Sequence, residues 1–259
     1  MSLPEAGFPL AAAVSPRLHL IETVDSTNAK LLHDAAAAPQ DHPHLSVVLT
    51  RDQRAGRGRL DRTWTAPPGT ALAISVLLRV EDVPTHERGW IPLLAGEAMV
   101  RAIAAQAPDI EVGLKWPNDV LVEGRKISGI LAEVLPADPF AVIVGAGVNT
   151  SMTSADLPVP TATSFEAMGR VVDEDRLVAD YLEGVRDGVA ALAATLTAPA
   201  VKEAVRAACT TLGRVVTVSL PDGSVLAGTA ERIDDDGRLV VLAEGVEAVV
   251  AAGDVVHVR

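Results

Sequence analysis

The last fifty residues constrain the fold most, because short apolar runs alternate there with turn signals and no helical pattern appears. After Cys209 the stretches RVVTVSL, SVLAGTAERI, RLVVLA and VEAVVAAGDVVHVR are separated by PDG, DDDG and EG. Such close spacing predicts about five short antiparallel strands, as in a small barrel or sandwich. We therefore expect residues 210–259 to form a small β domain of their own.

Strands and helices are mixed in the preceding part of the chain, which favours a mixed sheet with flanking helices, an α+β fold. The polar cluster DSTN at 25–28 predicts a helix start, because such side chains cap helix N-termini. The predicted helices cover about 25–38, 88–106, 173–195 and 199–210. The predicted strands cover 45–50, 70–80, 110–116, 140–149 and, as two strands joined by a tight turn at Glu123-Gly124, 120–134. We assign residues 19–209 to one domain.

The first residues carry no feature of a targeting or membrane segment. The N-terminus MSLPEAGFPLAAAV has no basic stretch and is interrupted by Pro4 and Pro9. No apolar run approaches the roughly 20 residues that cross a bilayer. The lone Cys209 has no second cysteine to pair with, which favours a reducing compartment. We expect a flexible segment at 1–18 and a cytoplasmic protein.

One loop, residues 51–64, concentrates positive charge in an acidic chain. The sequence holds 34 acidic and 22 basic residues, a net charge of −12 that opposes non-specific binding to nucleic acid or membranes. Yet RDQRAGRGRLDRTW holds five arginines around two glycines. Guanidinium groups bind phosphate or carboxylate oxygens, and glycines let backbone N–H groups approach an anion. The stretch predicts an anion-binding loop whose arginines repel one another without ligand. A solvated charged loop is the alternative.

A second stretch, KWPNDVLVEGRKISGILAE at 115–133, places two lysines around a turn. Its Pro-Asn-Asp is by itself ordinary turn chemistry. Lys126 opens the apolar run ISGIL, where it either reaches solvent or lies at the rim of a pocket as a point charge for a phosphate. The chain has neither the GxxxxGK[ST] loop nor metal-ligand spacing of its His residues and its single Cys. We predict no Walker-type site and no metal ligands.

Taken together and in this order, the motifs resemble those of the biotin protein ligases. The stretches that carry the resemblance are DSTN (25–28), DQRAGRGRLDRTW (52–64), KWPNDVLVEGRKISGILAE (115–133), GAGVN (145–149) and ATSFEAMG (162–169). The resemblance implies a class II synthetase-like catalytic sheet, followed by an SH3-like C-terminal barrel. It also implies a form without an N-terminal DNA-binding domain, since only residues 1–18 precede the matched region.

Two-step chemistry follows from the resemblance. Biotin and Mg²⁺·ATP would condense to biotinyl-5′-AMP and pyrophosphate. A lysine of a biotin carboxyl carrier domain of an acyl-CoA carboxylase would then take the biotinyl group. The resemblance assigns Lys126, Arg57 and Arg59 to catalysis, because cations offset the repulsion between a carboxylate and an α-phosphate.

The same resemblance distributes ligand-binding residues over one site. Those implied at the biotin end are Ser26, Thr27, Gln53, Gly129 and Gly145. Those implied at the nucleotide end are Arg62, Trp64, Asn118 and Asn149, and those of the closing loop are Gly56, Arg57 and Arg59. The further predicted ligand-binding residues are Asn28, Gly58, Lys115, Asp119, Lys126 and Gly147. Trp64 would stack its ring against adenine.

Two rival functions stay open. A lipoate or octanoate ligase would share the acyl-adenylate chemistry, and activity with lipoate alone would identify it. A non-enzymatic nucleic-acid-binding protein would use the basic loop and the barrel, with binding that weakens steeply with salt. We expect biotin, ATP and Mg²⁺ as ligands and neither DNA nor membrane binding, and we leave a homodimer open.

Overall fold

Within the described residues, a seven-stranded mixed sheet forms the centre of the larger domain. The computed structural model describes residues 7–60, 62–194 and 196–258. The first nine strands, in chain order, are β1 (Arg17–Leu20), β2 (Ser46–Thr50), β3 (Gly56–Arg57), β4 (Thr63–Trp64), β5 (Ala71–Arg79), β6 (Val112–Lys115), β7 (Asp119–Val122), β8 (Arg125–Leu135) and β9 (Asp138–Asn149). The sheet has the order β1-β2-β5-β9-β8-β7-β6, with β1 parallel to β2 and the other pairs antiparallel. Strands β3 and β4 pair separately.

Helices cover both faces of this sheet. They are α1 (Pro9–Val14), α2 (Thr27–Ala37), α3 (Ile91–Gln106), α4 (Glu174–Ala193) and α5 (Ala198–Ala208). Helix α2 packs on one face, where Leu31 and Ala35 share a cluster with Leu77 and Ile143. The large cluster on the opposite face includes residues of α3 and α4. Because side chains alternate along a strand, neighbouring residues of β5 and β9 serve different helical layers.

Local sequence explains where two of these elements begin or turn. The Ser26 hydroxyl accepts a hydrogen bond from the Ala29 amide at 3.3 Å and caps α2. Glu123 and Gly124 both have positive φ, 47° and 75°, as the tight turn between β7 and β8 requires. Both features agree with the predictions made from DSTN and from Glu123-Gly124.

The C-terminal residues form a second, five-stranded antiparallel sheet in the described part of the chain. Its strands are β10 (Val215–Ser219), β11 (Val225–Ile233), β12 (Leu239–Ala243), β13 (Val246–Val250) and β14 (Asp254–His257). Their order is β13-β12-β11-β10-β14. The predicted α+β fold with a small C-terminal β domain is thereby confirmed. Helix α5 ends at Ala208 and β10 begins at Val215. The predicted domain boundary near residue 210 lies between them and stays a prediction.

The N-terminal segment differs from expectation. A flexible stretch was expected over 1–18, yet α1 lies within it and β1 begins at Arg17. Phe8 and Ala11 are buried, and the amides of Leu10 and Ala11 each donate to the Asp175 carboxylate at 2.9 Å. These contacts with α4 depend on tertiary packing, which the local pattern does not reveal.

Two predicted elements, the arginine loop and the helix over 88–106, differ from the structure. The arginine loop was expected to be irregular, but β3 and β4 form a short hairpin inside it. The first residues of the helix expected over 88–106 belong instead to a 3₁₀ turn at Thr85–Trp90.

The predictions that fall on residues 1–6, Asp61, Thr195 and Arg259 lie outside the described residues. No described helix is both long and apolar enough to cross a membrane.

Candidate active site

The floor of the candidate site is the part of the sheet face that α2 leaves uncovered. Two cross-strand rows form this floor. The rows, read from β5 across β9 and β8, are Ser75–Gly145–Leu131 and Ala73–Gly147–Gly129, and Asp119 of β7 extends the second. Glycines at three of these positions leave depth above the sheet. The resulting cleft opens to solvent, and its volume is about 900 Å³ when the open space at its mouth is included.

Polar groups at the N-terminus of α2 form one end of the cleft. Gln53 Oε1 accepts hydrogen bonds from the Thr27 amide at 2.8 Å and from the Thr27 hydroxyl at 3.1 Å. Ser75 donates to Asn28 Oδ1 at 2.5 Å. A Cβ at Gly145 would lie 2.4 Å from the same Asn28 oxygen, so only glycine admits this side chain. The side chains named here are neutral and rich in donors and acceptors, as a neutral polar ligand group requires, and Asn28 Nδ2 also donates to the Glu133 carboxylate at 2.8 Å.

Most of the loop arginines are paired with carboxylates. Arg51 pairs with Glu174 at 3.2 Å, Arg54 with Asp52 at 2.7 Å, Arg57 with Glu133 at 3.1 Å and Arg62 with Asp254 at 2.5 Å. These acids come from the loop itself, the sheet, α4 and the C-terminal domain. The predicted repulsion between the arginines is therefore offset in the described structure, since acids pair with four of the five.

Arg59 differs from its neighbours. Its guanidinium Nη1 donates to Asn118 Oδ1 at 3.3 Å and lies 3.5 Å from the Gly253 carbonyl oxygen, so both partners are neutral. Among the described residues it forms no ion pair. Burial lowers the pKa of Arg59 below its ordinary value, although the group stays protonated near neutral pH. A partly desolvated cation without a counterion is a strong site for an incoming anion.

The indole of Trp64 lies directly on the floor. A Cβ at Gly147 would lie 2.6 Å from Trp64 Cε2, which shows how closely the ring approaches the β9 backbone. Because β4 carries Trp64 and pairs with β3, the hairpin holds the ring over the cleft. The ring is partly exposed and provides a surface on which a planar group can stack.

Lys126 and Asp119 form a charged pair at the other end of the cleft. Lys126 Nζ lies 2.6 Å from Asp119 Oδ1, and a Cβ at Gly129 would lie 3.1 Å from the same nitrogen. Asn118, beside them, donates from Nδ2 to the Ile130 carbonyl at 2.8 Å. The ammonium group thus lies above Gly129, within the cleft that Arg59 also lines.

The cleft brings together fifteen of the predicted site residues. They are Ser26, Thr27, Asn28, Gln53, Arg57, Gly58, Arg59, Arg62, Trp64, Asn118, Asp119, Lys126, Gly129, Gly145 and Gly147. The roles assigned to these residues stay predictions, because proximity to a cleft does not identify a ligand. Their convergence from distant parts of the sequence nevertheless defines a single candidate site.

Three predicted residues do not line the cleft. Gly56 is the first residue of β3 in the hairpin, where a Cβ would be 2.4 Å from Gln53 Nε2 and from the Trp64 carbonyl oxygen. Asn149 is buried, and its Nδ2 donates to the Thr163 carbonyl at 2.9 Å. Lys115 pairs in register with Asp119 at the end of β6. Each of them supports an element that borders the site.

Residues that the motifs did not indicate also line the cleft. They are Leu60, Thr63, Ala73, Ile130, Leu131, Ala146, Gly253 and Asp254. Most of them are apolar neighbours of predicted residues, and the alternation of β5, β8 and β9 could have indicated some of them. Gly253 and Asp254 belong to the C-terminal domain, and no signal in the sequence places them here. Hydrogen bonding to Arg62 holds the pKa of Asp254 below its ordinary range.

The cleft offers few carboxylates to a metal ion. Among the described residues, no group of three or more His, Cys, Asp or Glu side chains could hold an ion. Mg²⁺ bound with a nucleotide needs only one or two protein carboxylates, because phosphate oxygens and water complete its shell. Asp119, in the cleft beside Lys126, provides such a carboxylate. The residues present therefore fit an ion delivered with ATP.

Comparison with known proteins gives the same assignment for both parts of the chain. Residues 20–149 match the model of the biotin/lipoate A/B protein ligase family, and residues 211–258 match that of the biotin protein ligase C terminal domain. The biotin--[acetyl-CoA-carboxylase] ligase of Mycobacterium tuberculosis is 39% identical over 246 residues, which cover 94% of this chain and 90% of that protein. The ligase of the same name from Paracoccus denitrificans is 32% identical over 251 residues, 91% of this chain and 98% of that protein.

A solved structure supports the fold. The biotin protein ligase from Aquifex aeolicus in complex with biotin and ATP superposes with a TM-score of 0.75 at 23% identity, over 94% of this chain and 99% of that one. The sequence-based predictions of a ligase and of an SH3-like C-terminal domain are confirmed. By the extent of these matches, the chain belongs to the biotin/lipoate A/B protein ligase family.

Proposed function

We propose that the protein is an ATP-dependent biotin protein ligase that acts on an acetyl-CoA carboxylase. In the first step a biotin carboxylate oxygen attacks the α-phosphorus of ATP, the bond to the β-phosphate oxygen breaks, and pyrophosphate leaves. In the second step the ε-amine of a carrier lysine attacks the acyl carbon of biotinyl-5′-AMP. AMP leaves and the amine loses its proton, so that an amide is formed.

One observation carries the proposal: Arg59 is a partly buried cation that forms no ion pair with any described residue, and it lies in the same cleft as Lys126. The first step brings a carboxylate to a polyphosphate, and the two anions repel each other. Preorganised cations lower the free energy of such a transition state because they do not need to reorganise around the developing charge. We assign Lys126, Arg57 and Arg59 to this role.

The end of the cleft at the N-terminus of α2 fits biotin. The ureido group of biotin offers two N–H donors and one carbonyl acceptor. We place it against the polar groups of Ser26, Thr27, Asn28 and Gln53, with Gly129 and Gly145 leaving room for the bicyclic ring. These side chains already hold one another in place through hydrogen bonds, so little ordering is needed when the ligand binds.

The opposite end fits the nucleotide. Trp64 offers its ring to adenine, and Arg62, Asn118 and Gly58 lie where they can meet the ribose and phosphates. We assign supporting roles to Gly56, Lys115 and Asn149, which hold the elements around this end. Mg²⁺ would arrive with the ATP phosphates and neutralise part of their charge, and Asp119 is the carboxylate that we assign to it. These roles can be tested one residue at a time.

The acceptor protein and the cellular compartment are part of the same proposal. We infer that the acceptor is the biotin carboxyl carrier domain, whose lysine must reach the acyl carbon in the cleft. The net charge of −12 supports a chain that does not bind DNA. We place the reaction in the cytoplasm, where ATP is available and where the buried Cys209 thiol stays reduced. Whether two copies associate is testable by sedimentation.

The deciding experiment measures biotin-dependent exchange of labelled pyrophosphate into ATP by the purified protein with Mg²⁺. A parallel reaction contains lipoate in place of biotin. The second step is followed by mass spectrometry of a carrier domain, with a carrier variant whose acceptor lysine is arginine as the control. We expect exchange with biotin and a mass increase of the unmodified carrier alone. Exchange with lipoate but not with biotin would show a lipoate ligase instead.

A further inference from the structure

Trp90 and Trp116 are buried in the catalytic domain, and both bind the same turn of the C-terminal domain. This turn, residues 234–238, connects β11 to β12 and is called here the interdomain turn. Trp90 Nε1 donates to the Asp235 carbonyl at 2.7 Å, and Trp116 Nε1 donates to the Gly237 carbonyl at 3.2 Å. Both indoles are at most 2% exposed. The acidic sequence DDDG is thus bound through its backbone oxygens.

Trp116 differs from Trp90 in its relation to the cleft. It stands two residues before Asn118 and three before Asp119, in the turn that carries both into the site. Its backbone amide donates to Thr211 Oγ1 at 3.0 Å, and Thr211 in turn lies 3.1 Å from His257 Nε2 of β14. Trp116 is therefore attached to the C-terminal domain through both its side chain and its backbone.

These contacts close a ring around the nucleotide end of the cleft. Asn118, next to this anchor, accepts a hydrogen bond from Arg59, and Arg59 also approaches the Gly253 carbonyl. Gly253 immediately precedes β14, which belongs to the same sheet as the interdomain turn. The two domains therefore contact each other at Trp116 as well as at Arg59.

We propose that Trp116 is a positioning residue for the nucleotide end of the site: it fixes Asn118 and Asp119 on one side and the C-terminal residues Gly253 and Asp254 on the other. The proposal rests on the proposed function, because it concerns where ATP is held. The biotin end is formed by α2, Gln53 and Gly145, which do not belong to the ring. Loss of the Trp116 contact should therefore weaken ATP binding and leave biotin binding intact.

The test uses two matched variants of the full-length protein. Trp116→Phe and Trp90→Phe each remove one indole N–H that binds the same turn, but only Trp116 adjoins cleft residues. Pyrophosphate exchange gives the KM for ATP and the KM for biotin of each variant. We expect Trp116→Phe to raise the KM for ATP at least fivefold and to change the KM for biotin less than twofold. Trp90→Phe should change both less than twofold.

A second variant guards against misfolding of Trp116→Phe. Thr211→Val removes the acceptor of the Trp116 amide and should raise the KM for ATP in the same selective way. Thr210→Val is its control, because the Thr210 hydroxyl contacts the Leu114 carbonyl instead. Equal increases of both KM values, or equal effects of Trp90→Phe and Trp116→Phe, would overturn the positioning role. Absence of biotin-dependent exchange in the wild-type protein would overturn the proposed function as well.

Discussion

The guanidinium of Arg62 forms two contacts with the carboxylate of Asp254, at 3.2 and 2.5 Å, although 192 positions separate the two residues in sequence. The pair joins the arginine loop of the catalytic domain to the first residue of β14. Hydrogen bonding to Asp254 raises the pKa of Arg62, and the same bond lowers the pKa of Asp254. Each group thus favours the charged form of the other.

Asp254 and the ATP phosphates are expected to compete for Arg62. Both side chains of the pair are partly exposed, so the pair itself contributes little, as is usual for ion pairs at a surface. Asp254→Asn removes the competing charge and should lower the KM for ATP by about two- to fivefold, equivalent to ~0.4–1 kcal/mol. Steady-state exchange kinetics measure this value.

A suitable control for Asp254→Asn is Glu247→Gln, which breaks the ion pair with Arg232 elsewhere on the same domain. This control should leave the KM for ATP unchanged. An increase of the KM in Asp254→Asn would show that Asp254 orients Arg62 toward the nucleotide rather than competing with it.

Alanine substitutions at Gly145 and Gly147 should weaken the binding of different substrates. A Cβ at Gly145 meets Asn28 Oδ1 at 2.4 Å, and a Cβ at Gly147 meets Trp64 Cε2 at 2.6 Å, so the side chain must shift in each case. Gly145→Ala should raise mainly the KM for biotin, and Gly147→Ala mainly the KM for ATP, each at least fivefold. Each variant serves as the control of the other, and identical kinetic changes in both would contradict the division of the cleft.

Lys126→Met should abolish most adenylate formation without unfolding the protein. The lysine side chain is 42% exposed and contributes a charge rather than packing. Removing one preorganised charge from a transition state typically costs about 2.7–4 kcal/mol, so we expect the exchange rate to fall about 100- to 1000-fold. Lys30→Met on α2, which removes the exposed pair with Asp34, is the control. A kcat within tenfold of the wild-type value would remove Lys126 from the mechanism.

His257 should make the folded protein less stable toward acid. Burial, together with the nearby Lys115 and Arg214, lowers the pKa of His257 to about 4 from its ordinary 6.5. Between these values the unfolded chain binds a proton that the folded chain does not, so the free energy of unfolding decreases as the pH falls. The loss begins near pH 6.5 and is complete below pH 4.

The contribution of His257 is measured by thermal unfolding of the wild type and of His257→Gln between pH 7.5 and 4. Other groups titrate in this range, and the comparison between the two proteins isolates the histidine. On acidification, the melting temperature of the wild type should fall further than that of the variant. Equal decreases of the melting temperature in the two proteins would show that folding does not lower the pKa of His257.

Much of the site was predictable because its residues lie in contiguous motifs. The sequences 25–28, 52–64, 115–133 and 145–149 contain the fifteen predicted residues that the cleft brings together. Gly56, Lys115 and Asn149 also belong to these motifs but do not line the cleft. By strand alternation Asn149 shares the face of β9 that carries Gly145 and Gly147, but its side chain is bound to the Thr163 carbonyl, a partner that the motif does not indicate.

Several elements follow from local sequence: the Ser26 cap, the turn at Glu123-Gly124, the strands of the C-terminal domain and the concentration of arginine in one loop. Each depends on residues close together in the chain, whose backbone preferences and hydrogen bonds are local. Only the folded structure shows which acids pair with Arg51, Arg57 and Arg62, how Trp90 and Trp116 bind the interdomain turn and how Asp254 enters the cleft. These contacts join residues between 76 and 192 positions apart in sequence, and they form only when burial of the core brings distant segments together.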